Sequence, residues 1–175
     1  TDSGDNIYVS FRFQNRIEKY SPGGNLLMKI DRPLDYKVTK AKGELKVDDE
    51  GAGRMNIMLR SPELNEVSLA VGVDGNSRIW VVTNRRQLKD DEKVSLSVMV
   101  SNDGVSARMS QRTSGNTDIT ETDAYELEVF SPDGILLGKV PLTHFVDAMR
   151  IYGDRLYIVD KLRGMRVFEY RIVEK

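Results

Sequence analysis

The sequence has no cysteine and a single histidine, His144. The first absence excludes disulfides, thiolate zinc sites and cysteine nucleophiles, and the second excludes a metal centre built on several imidazoles. Neither sign of charge dominates, since 26 Lys and Arg stand against 27 Asp and Glu. That balance argues against whole-chain attraction to nucleic acid or to an anionic membrane. No apolar run approaches the roughly 20 residues of a membrane-spanning helix. Gly-x-Gly-x-x-Gly, the Walker loop and the Gly-x-Ser-x-Gly elbow are missing, and Asp48-Asp49-Glu50-Gly51 and Asn102-Asp103-Gly104 are too short for an EF-hand loop. Helical periodicity is also lacking, because no stretch keeps apolar residues at i, i+3, i+4 and i+7 beyond a couple of turns. These residues predict no cofactor and no resident metal.

What is present is a foldable chain. Hydrophobic residues make up 39% and charged residues 30% of 175, which predicts one packed domain rather than a disordered tail. Thr1 in place of Met predicts a processed product or part of a longer one.

The chain repeats itself. Residues 16 to 30 (Arg16-Ile-Glu-Lys-Tyr-Ser-Pro-Gly-Gly-Asn-Leu-Leu-Met-Lys-Ile30) match residues 126 to 140 (Glu126-Leu-Glu-Val-Phe-Ser-Pro-Asp-Gly-Ile-Leu-Leu-Gly-Lys-Val140) in Glu, Ser-Pro, Gly, Leu-Leu and Lys. A second signature recurs three times, as Asp5-Asn6-Ile7-Tyr8-Val9, Ser77-Arg78-Ile79-Trp80-Val81 and Asp154-Arg155-Leu156-Tyr157-Ile158. Each is a polar turn followed by aliphatic, aromatic and aliphatic residues, the pattern of a strand entered from a tight turn. With strands lettered A to D, the chain reads B (6 to 11), C (15 to 20), D (25 to 30); A (67 to 73), B (78 to 83), C (124 to 130), D (134 to 140); A (146 to 152), B (155 to 160), C (165 to 172). Repeated four-stranded antiparallel meanders are the units of an all-β propeller.

On these residues the chain resembles the NHL-like and related six-bladed β-propellers. Asp5-Asn6-Ile7-Tyr8-Val9, Asn15-Arg16-Ile17 and Tyr20-Ser21-Pro22-Gly23-Gly24 fit that pattern, and Arg166-Val167 with Tyr170 fits it again. The resemblance covers about two-thirds of the chain and implies a single partial propeller domain over residues 1 to 175, of about three incomplete blades. The remaining blades are expected from the rest of the protein or from another chain. Likeness to bacterial exported propellers implies a periplasmic or extracellular location, with a cytoplasmic one still open.

Ile7, Ile79 and Leu156 stand 72 and 77 residues apart, against about 40 to 50 for a repeat of this kind. The excess lies in residues 31 to 66 and 84 to 123, and strand alternation sends both insertions out on one face. Within them, 36 to 42 and 44 to 47 are expected to pair around Gly43, 54 to 59 to form a strand, and Val94–Val100 to pair with Val105–Met109. Ser110 to Thr122 is expected to be mobile or ordered by a partner.

The looped face collects Arg12, Phe13, Arg85, Arg86, His144, Lys161 and Arg163, which are the candidate ligand-binding residues. The opposite rim carries Asp2, Asp5, Asp74, Asp133 and Asp154. That polarity suits an anionic ligand or an acidic partner surface, although Asp at turns also has a local explanation. Two functions follow. One is a non-enzymatic binding or scaffold module recognising a protein, peptide or glycan. The other is a lactonase-like hydrolase or lyase with a charged or metal site at the channel mouth, where His144 and Asp147 are the available base and orienter. The nearly apolar run Val67–Val73 favours the first.

Overall fold

The computed structural model describes residues 1–39, 44–49, 55–60, 64–102 and 107–173. The chain is all-β and antiparallel. It opens with β1 (Ile7–Ser10), β2 (Arg16–Tyr20) and β3 (Leu26–Asp31), then β4 (Glu44–Asp49) and β5 (Met55–Arg60). There follow β6 (Ser68–Val73), β7 (Ile79–Asn84), a 3-10 turn at Asp90–Glu92, β8 (Val94–Asn102) and β9 (Ala107–Gly115). The chain continues through β10 (Glu121–Phe130), β11 (Leu136–His144), β12 (Ala148–Tyr152), β13 (Arg155–Asp160) and β14 (Arg166–Arg171).

These strands make three sheets and two hairpins. The first sheet runs β1-β2-β3, the middle sheet β11-β10-β7-β6 and the third β12-β13-β14, while β4 pairs with β5 and β8 with β9. The Gly43 turn lies outside the described residues. Glu44–Asp49 takes Met55–Arg60 as its partner, from Glu44 opposite Arg60 to Asp49 opposite Met55, so residues 36 to 39 are not that strand's mate. Ser110–Gly115 is also drawn into regular structure, as the second half of β9.

Period-2 alternation puts the two faces of the middle sheet into two separate cores. Ile79, Val81 and Phe130 join Ile17, packed by Tyr8, Met28 and Ile30 of the first sheet. Val82, Ala124, Tyr125, Leu127 and Leu142 join Met149, Leu156 and Ile158 of the third, with Phe145 and Val146. Each fully buried aliphatic side chain contributes about 1.5–3 kcal/mol. The middle sheet is therefore the filling between two others. Its edge strand β6 lies beside both β1 and β12, and Gly72 on it leaves room for Ile151, whose Cδ1 would stand 3.2 Å from an added Cβ.

The repeat seen in the sequence is also a repeat of hydrogen bonds. In the β2–β3 turn, Ser21 N donates to Asn25 O (2.9 Å), Gly24 N to Ser21 O (2.9 Å) and Asn25 N to Ser21 Oγ (3.1 Å). In the β10–β11 turn the corresponding bonds are Ser131 N to Ile135 O (2.8 Å), Gly134 N to Ser131 O (2.9 Å) and Ile135 N to Ser131 Oγ (3.1 Å). Gly24 and Gly134 close these turns at φ 82° and 84°, where a side chain is strained.

Candidate functional site

The segments leaving β3 and β7 and the β1–β2 and β13–β14 loops meet at one end of the sheets. Arg32 anchors the first segment. It is buried and donates from Nη1 to Glu128 Oε2 (2.7 Å) and Thr83 Oγ1 (2.5 Å), from Nη2 to Ser68 Oγ, and from Nε to Asn15 O (3.2 Å). Further on, the Tyr36 hydroxyl donates to Glu66 O (3.0 Å), and burial pushes that phenol up to about 12. The two segments touch where Glu66 N donates to Gln87 Oε1 (2.9 Å) and Gln87 Nε2 returns a bond to Glu66 O (2.8 Å).

Arg86 organises the second segment. It grips both oxygens of Glu92 at 2.7 Å and also pairs with Asp123. Arg86 thereby holds the Glu92 carboxyl down at about 2, since a bidentate guanidinium favours the ionised form. Glu92 in turn shapes the 3-10 turn, accepting from Lys89 N (2.8 Å) and Thr122 Oγ1 (2.9 Å). From the third sheet, Arg163 donates from Nη2 to Glu92 O (2.5 Å) and lies 3.3 Å over the ring of Phe145.

Between these anchors lies a cleft of about 340 Å³. Its polar lining comes from Ser10, Arg12, Glu66, Ser68, Asp147 and Arg163, and its apolar lining includes Leu88, Val94, Tyr125 and Phe145. Arg12 pairs with Glu66 at 2.5 Å yet keeps its side chain 63% exposed, and it sits 5.7 Å over Phe13. Asp147 accepts from Lys161 N (2.6 Å). The cleft carries both charge signs, hydroxyls and an aromatic face, a set suited to polypeptide or another mixed polar ligand.

Of the candidate residues, the structure brings Arg12 and Arg163 to the cleft. Phe13 stands beside Arg12, and Lys161 contributes its backbone while its side chain is exposed. Arg85 turns to Glu126 at 3.7 Å, and Arg86 is spent on Glu92 and Asp123. His144 is buried between the middle and third sheets, stacked on Phe168 with ring centroids 3.8 Å apart. Its Nε2 lies 2.6 Å from the Tyr170 hydroxyl and its Nδ1 3.2 Å from Phe145 O. Burial pushes the imidazole below its ordinary value, so it is a packing group rather than a rim group. Asp147, expected as the orienter of His144, instead accepts from Lys161 N while His144 meets Phe145 O and Tyr170, and Glu66 is a charged cleft residue that the sequence reading does not single out. Their signal is positional, for both lie just before a first strand, β6 or β12.

Among the described residues, no group of three or more His, Asp or Glu is placed to hold a metal. No helix there is long and apolar enough to cross a membrane. No protein-family model matches the chain, and no curated protein matches its sequence.

Proposed function

We propose that the three sheets are successive blades of a β-propeller of the NHL-like, six-bladed kind, and that the protein is a non-enzymatic recognition module binding a peptide segment of a partner protein at its looped end. Three features support the blade reading: the duplicated Ser-Pro-x-Gly turn, the face-to-face cores, and the place of edge strand β6 beside β1 and β12. The observation that carries the binding reading is the cleft, where Arg12, Glu66, Asp147 and Arg163 gather from three sheets around apolar surface. A peptide supplies backbone amides for Glu66 and Asp147 and carbonyls or carboxylates for Arg12. The β8–β9 hairpin, which begins at cleft residue Val94 and pairs only with itself among the described residues, extends the surface. A periplasmic or extracellular location goes with this reading, and fractionation of the native host tests it.

The test is selection of peptides from a random displayed library on the wild-type chain, followed by titration against an Arg12→Ala/Asp147→Ala variant. Selected peptides are expected to bind the variant at least tenfold more weakly. Equal binding to both proteins refutes the cleft, and enrichment on a glycan array instead of peptides changes the ligand class.

A further inference from the structure

The charges around the cleft are mostly settled within the fold. Arg12 is matched by Glu66, which accepts from both its Nε and its Nη2. Arg86, Arg163 and Arg166 are tied together with Glu92, Asp123 and Asp160, three charges of each sign. One charge is left over. Asp147 accepts from Lys161 N (2.6 Å), yet among the described residues neither the Lys161 ammonium nor any arginine forms an ion pair with it. Its side chain is exposed at the cleft.

A second polar group of the same cleft is also idle. Tyr125 on β10 lines the cleft and is 4% exposed. Its ring is held edge-on to Phe145, with centroids 6.4 Å apart at 74°. Among the described residues the Tyr125 hydroxyl makes no hydrogen bond, although it is not sealed from the cleft. Tyrosine hydroxyls in buried rings ordinarily find a partner, so an idle one on a locked ring is available to a ligand. Burial raises the pKa of this phenol, and Glu66 and Asp147 raise it further while Arg163 opposes them. The hydroxyl therefore stays protonated within reach of the cleft's carboxylates, and its oxygen accepts as well as donates. Leu88 and Val94 add apolar wall beside it. An unmatched carboxylate, a free phenol oxygen and an apolar wall suit a cationic head on an aliphatic stem.

Resting on the peptide-binding reading above, we propose that the cleft selects peptides carrying a lysine or arginine, whose charged head pairs with Asp147 and donates to the Tyr125 hydroxyl while its stem lies along Leu88 and Val94. A carboxylate accepts several donors at once, so a backbone amide on Asp147 leaves its charge unmatched and a basic side chain completes it. Water displaced by the bound peptide strengthens such a pair beyond its value at an open surface.

The experiment titrates capped heptapeptide pools, random except for a central lysine, arginine, norleucine or glutamate, against the intact chain by fluorescence anisotropy. The lysine and arginine pools are expected to bind at least fivefold more tightly than the other two, with the advantage shrinking as salt rises. Asp147→Asn keeps an acceptor for Lys161 N but removes the charge, and is expected to erase the advantage while leaving norleucine-pool binding unchanged. Tyr125→Phe removes an oxygen with no partner in the fold, so the urea midpoint is expected to hold while lysine-pool affinity falls at least twofold. A preference for norleucine or glutamate, an advantage that survives Asp147→Asn, or wild-type binding of the lysine pool by Tyr125→Phe overturns the proposal. Pools that bind alike whatever their centre, and that weaken on Arg12→Ala/Asp147→Ala, overturn the charge selection and leave the recognition reading standing. Lysine-pool binding indifferent to that double variant, or no binding by any pool, removes both.

Discussion

Asp74 and Trp80 are joined by an indole-to-carboxylate hydrogen bond of 2.9 Å, Nε1 donating to Oδ2. The same carboxylate accepts from Asn76 N, Arg78 N and Arg78 Nε. Asp2 repeats the device in the first sheet with Gly4 N, Asn6 N and the Tyr8 hydroxyl, the last at 2.7 Å. Asp5 and Ser77, three residues on in each turn, have matching φ of 56° and 59°. The third turn is shorter, closes on Gly153 at φ 59° and has no such clamp. Asp74→Ala strands several donors and is expected to cost about 1–3 kcal/mol in urea unfolding. Asp154→Ala, at a half-exposed carboxylate paired with the surface arginines Arg155 and Arg171, is expected to stay within about 0.5 kcal/mol.

Arg32 and Glu128 are a buried pair contributed by the first excursion and the middle sheet, 2.7 Å apart with side chains 1% and 3% exposed. The Arg32 guanidinium and the Lys139 ammonium offset the burial of Glu128 and hold its carboxyl below the ordinary range. Removing one partner leaves an uncompensated buried charge. Arg32→Ala is expected to lose about 3–5 kcal/mol, whereas Arg32→Met with Glu128→Leu recovers most of it. Denaturant titration of Arg32→Met, Glu128→Leu and the double gives the coupling directly.

The strands of the three sheets were legible because each signal is local. The recurring polar turn with aliphatic, aromatic and aliphatic residues marks Ile79–Asn84, and Ser-Pro-x-Gly marks both hairpin turns. The excursions were less so, for physical reasons. Residues 36 to 42 and 54 to 59 both suit Glu44–Asp49 by alternation, and a period of two alone does not choose between two such partners. Ser110–Gly115 has no apolar period at all. It is a strand because β8 lies opposite, as the 2.7 Å contact of Ser95 Oγ with Ser114 Oγ illustrates. The candidate site divides in the same way. Arg12 and Arg163 follow from loop position, but the fates of Arg86 and His144 are decided by Asp123 and by Phe168 with Tyr170, residues remote in sequence. Charge type in a sequence does not reveal whether the charge is already paired.

His144 makes stability fall on mild acidification. Burial depresses the folded imidazole's pKa, while the unfolded chain titrates near the ordinary value of about 6.5. As pH falls through that value the unfolded state takes up a proton that the folded state resists, so stability is full above it and declines towards the folded pKa. The urea midpoint is expected to drop between about pH 7 and 5, and His144→Phe is expected to flatten that portion of the profile. A slope unchanged in the variant assigns the effect to another group.

Arg86 does not line the cleft, yet it controls it through Glu92. The bidentate pair fixes the 3-10 turn, and the Glu92 carbonyl receives Arg163 Nη2 at 2.5 Å. Arg86→Ala frees a carboxylate that is 5% exposed, so its pKa rises from about 2 towards or above its ordinary range. In the wild type, Glu92's contribution is present above the unfolded value of about 4.5 and lost as pH falls through about 2; in the variant it is gone throughout. The cost at pH 7 is expected to be about 1–3 kcal/mol. Because the Arg163 anchor loosens with it, peptides selected on the wild type are expected to bind Arg86→Ala more weakly although they never touch residue 86. Arg86→Lys preserves charge but not the two-pronged grip, and is expected to restore less than half of the lost binding energy, as read by titration calorimetry.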